Sequence, residues 1–227
     1  MNLLLYGAPG GGKGTQADYL RGRFGIPHVA TGDILRAEVK AGTELGKQAN
    51  AILERGELVP DEVIIGIVRR RLREPDCERG FILDGFPRTI PQAKALDRLM
   101  EEMGRRFQRV LYMSVPAEEL IRRLSGRLTC PACQRTYHPE HNPPGAHPNC
   151  PHDGAELVMR DDDRPEAARH RIEVYLAYTL PVLDYYRKEG LVSEIDGLGT
   201  IQSVRHRVLA ALGHAPDPAP THSRSPG

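Results

Sequence analysis

The chain has 227 residues with 40% hydrophobic and 27% charged residues, and its 31 Lys plus Arg against 30 Asp plus Glu leave a formal net charge of +1. Those values suit a folded chain with a sizeable core, and exclude both a membrane-spanning helix, for want of a long apolar run, and a broadly basic nucleic-acid surface. Two totals stand out: 23 Gly with 19 Pro, and 26 Arg among the 31 basic residues.

Leu3–Tyr6 is a short apolar run that suits a buried parallel strand. No basic, apolar and small-residue succession surrounds it, so a cleaved secretion signal is not expected and the cytoplasm is the expected location. A helix is predicted over Lys13–Phe24, closed by Gly25. A strand follows at His28–Ala30, then a helix over Thr31–Ala41 with Thr31 as its cap and Asp33 in its first turn. Helices are predicted over Thr43–Arg55 and Asp61–Arg73, a strand at Phe81–Leu83, a helix over Thr89–Met103, a strand at Val110–Val115 and a helix over Ala117–Ser125. Segment 130–165 carries seven prolines and no apolar periodicity, so something other than a core must order it. A long helix over Pro165–Lys188 should kink at Pro181. Leu191–Ile195 and Thr200–Leu212 supply a last strand and helix, and the Pro-rich stretch from His214 reads as a disordered tail. Strands alternating with helices imply an α/β fold, a parallel sheet with helices on both faces.

The first strand opens into Gly7-Ala-Pro-Gly-Gly-Gly-Lys13-Gly14-Thr15 and then a helix. Glycines let the backbone turn tightly enough for successive N–H groups to face one anion. The helix N-terminus adds partial positive charge, and Lys13 can reach β- and γ-phosphates. The general motif has Ser or Thr directly after the lysine, whereas Gly14 intervenes here. Asp84 ends an apolar run, a place for either a Mg²⁺-organising carboxylate or a strand-end cap.

Cys130-Pro-Ala-Cys133 and Cys150-Pro-His-Asp153 form two knuckles whose spacing reads as a tetrahedral zinc site. Three thiolates are clear, and the fourth ligand lies among Asp153, His152 and His138. A disulfide is the weaker alternative, because nothing places the chain in an oxidising compartment. Cys77 has no chemistry assigned. A zinc module can also bind nucleic acid, but residues 126–163 hold three Arg against six acids, a poor platform for a polyanion.

Gly7–Gln16 resembles the phosphate loop of the adenylate kinases. Thr31-Gly-Asp-Ile-Leu-Arg36, Gly56-Glu-Leu-Val59-Pro-Asp, and Asp84-Gly-Phe-Pro-Arg88 with Gln92 are similar to three further motifs of that family, and the likeness runs to about Gly213. The resemblance implies a P-loop kinase with a central five-stranded parallel sheet: a core of residues 1–29, 60–125 and 164–213, a helical NMP-binding insert at 30–59, a zinc-ribbon-like lid at 126–163, and a tail at 214–227. It implies Mg²⁺-dependent, reversible phosphoryl transfer from ATP to AMP, giving two ADP. Gly10, Gly11, Gly12, Lys13, Gly14 and Thr15, with Arg127, Thr136, Tyr137 and Gly199, would meet ATP. Thr31, Arg36, Glu57, Leu58, Val59, Gly85, Phe86, Pro87, Arg88 and Gln92, with Arg160 and Arg171, would meet AMP.

Lys13, Arg88, Arg123, Arg160 and Arg171 would act on the transferring phosphates, and Asp84 through Mg²⁺-bound water. Asp153 matches the family's Cys₃Asp zinc lid, where the metal is structural. Hinges are expected near Ser125–Arg127 and Asp162–Arg164. A monomer is expected, whose partners are nucleotides rather than nucleic acid or membrane. The remaining arginines, including Arg69–Arg71, Arg105 and Arg106, read as solvated helix faces. The nearest alternative is a UMP/CMP-type kinase; such relatives typically carry Ala where Thr31 stands and lack the long zinc lid.

Overall fold

In a computed structural model, residues 1–145 and 148–216 are described. Five parallel strands form the sheet: β1 (Asn2–Tyr6), β2 (His28–Ala30), β3 (Phe81–Asp84), β4 (Arg109–Ser114) and, counting the two short strands of a separate ladder below, β7 (Val192–Asp196), in the order β2-β3-β1-β4-β7. Around it lie α1 (Lys13–Phe24), α2 (Thr31–Ala41), α3 (Glu44–Glu54), α4 (Asp61–Leu72), α5 (Ile90–Glu102), α6 (Ala117–Ser125), α7 (Pro165–Val174), α8 (Leu180–Lys188) and α9 (Ile201–Ala211).

Strand periodicity divides the core into two layers. Leu4 and Tyr6 of β1 join Phe81 and Leu83 in packing with α4, α5 and α8, while Leu3, Leu5, Ile82 and Leu111 pack with α1 and α9. Leu3, Leu4 and Leu5 are at most 2% exposed. Each such side chain contributes about 2 kcal/mol of burial, so the strand that carries the glycine loop is firmly anchored.

The helix starts are side-chain capped where Thr precedes them. Thr43, Thr89 and Thr200 accept the N–H of Gly46, Gln92 and Ser203. Thr31 departs from its expected role as a cap. Strand β2 runs straight into α2, Ala30 stands at the cap position, and the Thr31 hydroxyl donates across the sheet to the Asp84 carbonyl at 3.3 Å. The long helix is interrupted before Pro181 by a π turn at Tyr175–Thr179. Proline has no N–H and its ring crowds the carbonyl four residues back, and the wider turn absorbs both faults.

Three other expectations change. Arg105 and Arg106 follow α5 rather than lying on a helix face, and Arg105 donates to the carbonyls of Cys77 and Glu78. Arg71 is not simply solvated, since it pairs with Asp76 and reaches the Cys77 sulfur. His214 is no free tail residue: its N–H donates to the Leu209 carbonyl and its ring lies 4.9 Å from that of Phe24. The rest of the expected tail, 217–227, lies outside the described residues.

The proline-rich segment contains a small antiparallel ladder, β5 (Leu128–Thr129) with β6 (Thr136–Tyr137), extended by a bridge from Thr129 to Val158. Its apolar centre is three buried residues, Cys130, Tyr137 and Cys150.

Candidate active site

The loop between β1 and α1 has the shape its glycines permit. Gly10 and Gly12 both sit at φ +83°, and a Cβ on Gly10 would stand 2.9 Å from the Leu120 carbonyl oxygen. Only glycine combines that backbone region with that close approach. The Lys13 ammonium folds back over the loop, donating to the Gly7 and Ala8 carbonyls at 2.9 and 3.1 Å. Burial on the cleft floor, reinforced by Arg88, Arg127 and Arg171, pulls its pKa down to about 8 against the pull of Asp84.

The loop is the floor of a cleft of about 920 Å³, at the carboxyl edge of the sheet where α/β folds bind their ligands. Gly10, Gly11, Gly12, Gly14 and Thr15 line it, and so do Arg36, Arg88, Arg123, Arg127, Arg160 and Arg171. Asp84, Phe86, Pro87, Thr136, Tyr137 and Gly199 line it too. A smaller recess of about 50 Å³ is lined by Thr31, Glu57, Leu58, Val59, Gly85 and Gln92. Arg36, Arg88 and Arg171 line both spaces. Every nucleotide-contacting residue expected from the sequence therefore lies on one wall or the other.

Crowded cations are the electrostatic signature. Burial, then repulsion from Arg36 and Arg127, lowers Arg160 to about 10. Burial likewise lowers Arg171 to about 10, with Arg127 adding to the effect and Asp162 opposing it. So many desolvated guanidinium groups facing one space favour a polyanionic ligand.

The counter-charges are what the sequence reading missed. Asp163, with no exposed side-chain surface, accepts Arg127 Nε at 2.6 Å and Arg171 Nη1 at 2.9 Å. Since Arg127 and Asp163 belong to the two expected hinge segments, this pair ties those segments together. Asp61 accepts from the Gln92 amide at 2.6 Å and from the Thr89 hydroxyl at 3.1 Å, which orients Gln92 so that its Oε1 receives the Arg88 N–H. His28 Nε2 lies 3.3 Å from Asp84 Oδ2. Burial opposes charge on His28, but the Asp84 carboxylate outweighs it and raises the imidazole pKa. Asp84 is itself held below the usual carboxylate range: burial works against ionisation, and Lys13 and His28 overcome it. Asp163 and His28 belong to none of the motifs, and although Asp61 and Asp84 do, their pairings are found only by the approach of separate elements.

The cysteine cluster has the donor geometry of a metal site. Ligand atoms of Cys130, Cys133, Cys150 and Asp153 all lie within 4.8 Å of one another. The sulfurs of Cys133 and Cys150 are 3.6 Å apart, and Cys130 Sγ is 3.3 Å from both Asp153 carboxylate oxygens. A tetrahedral zinc with Zn–S near 2.3 Å requires ligand separations of about 3.7 Å, so the donors fit. The two knuckles share one turn. Gln134 N–H donates to Cys130 O and Gly154 N–H to Cys150 O, with φ +62° at Gln134 and +78° at Gly154. Asp153 thus occupies the place in its turn that Cys133 occupies in the other.

The histidine alternatives stand elsewhere. His138 groups with Glu140 and His141, and its Nδ1 accepts the N–H groups of those two residues. His152 Nδ1 reaches only to 3.9 Å from Asp153. The Tyr137 hydroxyl lies 3.4 Å from Cys150 Sγ and joins the cleft wall to the thiols. Cys77 is fully buried beside Arg71. No helix among the described residues is long and apolar enough to cross a membrane.

Comparison with known proteins agrees with this geometry. The family model described as adenylate kinase matches residues 5–191. An adenylate kinase of Lysinibacillus sphaericus is 50% identical over 204 residues, covering 90% of this chain and 94% of its own length. One from Archaeoglobus fulgidus is 49% identical over 212 residues, 93% of this chain and 98% of its own. One from Staphylococcus aureus is 47% identical over 214 residues, 94% and 100% of the two chains.

Proposed function

The chain belongs to the adenylate kinase family and is an ATP:AMP phosphotransferase, and we propose that its two-lobed cleft performs the reaction in the following way. ATP takes the larger space and AMP the smaller recess. The observation that carries this division is the shared wall, where Arg36, Arg88 and Arg171 border both spaces. Two phosphate chains repel each other, and cations common to both lobes are what bring them together.

The AMP phosphate is already an anion near neutral pH, so no general base is required. The work is alignment and charge stabilisation. Loop N–H groups and Lys13 hold the β- and γ-phosphates, and Lys13 exchanges its carbonyl partners for phosphate oxygens. Arg36 and Arg88 hold the acceptor phosphate. Arg123, Arg160 and Arg171 surround the group in flight, since a planar guanidinium can grip two oxygens at once. Thr31, Val59 and Gln92 bound the AMP nucleoside, and Arg127, Thr136, Tyr137 and Gly199 the ATP side. Mg²⁺ would enter with ATP, held near Asp84 through its water shell, and would neutralise charge on the β- and γ-phosphates.

Residues 30–59 and 126–163 close over AMP and ATP, hinged near Ser125–Arg127 and Asp162–Arg164, which keeps water from the transferring group. Zinc on Cys130, Cys133, Cys150 and Asp153 orders the second of these; four protein ligands leave no position for a substrate, so the metal is structural. The enzyme works as a cytoplasmic monomer.

A phosphotransfer assay with ATP against AMP, UMP, CMP and GMP, with metal analysis of the same sample, tests this. Preference for AMP and one zinc per chain are expected. Preference for UMP or CMP would overturn the acceptor assignment, and a metal-free protein of unchanged stability would overturn the zinc site.

A further inference from the structure

Arg123 is held by more than its own helix. On α6, Glu119, Arg122 and Arg123 are three and four residues apart and share a face. One carboxylate takes both arginines: Glu119 Oε1 accepts Arg123 Nε at 2.6 Å, and Oε2 accepts Arg122 Nε at 2.9 Å. Arg123 Nη2 donates to the Gly197 carbonyl at 3.0 Å. Its Nη1 edge is left toward the phosphate loop, 4.0 Å from where a Cβ on Gly12 would stand. The carboxylate also meets the lid. Arg122 Nη1 donates to Glu140 Oε2 at 2.7 Å, and His141 Nε2 is 3.7 Å from Glu119 Oε1.

We propose that Glu119 is a positioning residue for phosphoryl transfer: it clamps one edge of the Arg123 guanidinium so that the other faces the loop, and it links that aim to the lid through Arg122 and Glu140. The proposal rests on the reading of Arg123 as a contact to the transferring phosphate. A free arginine samples many rotamers, and a guanidinium fixed on two sides loses little freedom when the phosphate arrives. The pair is also sheltered. The Glu119 and Arg123 side chains are 17% and 15% exposed, against 55% and 62% for Arg122 and Glu140. Arg122 foremost, then Arg123, holds the Glu119 carboxyl down at about 2, so it is ionised throughout any assay range. Glu119→Gln therefore removes a charge while keeping the shape.

The test is a double-mutant cycle of Glu119→Gln and Arg123→Ala, with Glu119→Asp as the conservative variant. kcat and KM for both nucleotides are measured with the melting temperature of each. Expected results are a fall of about tenfold in kcat for Glu119→Gln, KM values within about twofold, partial recovery in Glu119→Asp, and a double variant no slower than Arg123→Ala alone. Wild-type kcat in Glu119→Gln overturns the proposal. So does a loss that adds in full to that of Arg123→Ala, since a merely structural carboxylate would act independently of the arginine. Wild-type kcat in Arg123→Ala overturns instead the phosphate role of Arg123.

Discussion

The glycine loop hangs from β1, whose Leu3–Leu5 are almost wholly buried between two helical layers, whereas the cysteine segment gathers only Cys130, Tyr137 and Cys150 into an apolar centre. Both line the same cleft. The first is held by burial of its strand, and its Lys13 faces arginines contributed by several other elements, Arg127 of the second region among them. The second has too little apolar surface to order its prolines, and its donor atoms converge where a metal would sit. A cation cluster of this kind costs stability unless buried carboxylates and a strong scaffold offset it. On the proposed reading, the strand under the loop fixes the part that stays still, and a metal would order the part that moves.

The largest effect expected on the floor is functional. Lys13→Met should lower kcat by about 10²–10³-fold with the melting temperature within about 2 °C of wild type. Near-wild-type turnover would break the comparison by showing that the floor is scaffold only. Asp163→Asn probes the junction between the two regions. It leaves Arg127 without its buried counter-charge and Arg171 with Asp162 alone, at about 3 kcal/mol, a fall of roughly 6–12 °C in melting temperature. A shift under 2 °C would show that water, not Asp163, balances these arginines.

Metal removal isolates the flap. Chelation should lower the melting temperature by about 5 °C, reversibly on return of Zn²⁺, and circular dichroism should show the helical core still folded. Loss of the whole helical signal at once would show that floor and flap are one cooperative unit. The smallest effect comes from pH. The free enzyme's Lys13, with its pKa near 8, sheds its proton as pH rises through that value. Bound phosphate favours the charged form, so binding takes up a proton and ATP affinity should weaken by up to about tenfold per pH unit above 8. Calorimetry in buffers of different ionisation enthalpy measures that proton directly, and zero uptake at pH 9 would show that Lys13 is charged in the empty cleft.

The glycine loop and other motif residues that line the cleft, and the cysteine knuckles, were legible in the chain because each lies in a contiguous run, whereas Arg123, Arg127, Arg160 and Arg171 rested on the family resemblance. The glycine loop, the run from Thr31 to Arg36, the run from Asp84 to Arg88 and the two cysteine knuckles each need a local turn, and local turns write themselves in adjacent residues. The helix caps at Thr43, Thr89 and Thr200 were legible for the same reason. Thr31 was misread as a cap because β2 continues into α2, and the partner of its hydroxyl lies 53 positions away on β3. The turn of the long helix was placed at Pro181, but the π turn falls before it, because a proline disturbs the carbonyls that precede it.

The sequence by itself determined the alternation of strands and helices, the glycine loop, the set of arginines and three cysteines at knuckle spacing. Periodicity, glycine geometry and knuckle spacing are properties of neighbouring residues. Only the tertiary structure decided which carboxylate restrains which arginine: Asp163 for Arg127 and Arg171, Glu119 for Arg123 with a link onward to the lid, and Asp61 behind Gln92. It also set Asp153 among the thiols and His138 apart from them. Charges and ligands pair by distance in space, and that distance is fixed by how buried layers pack, not by separation along the chain.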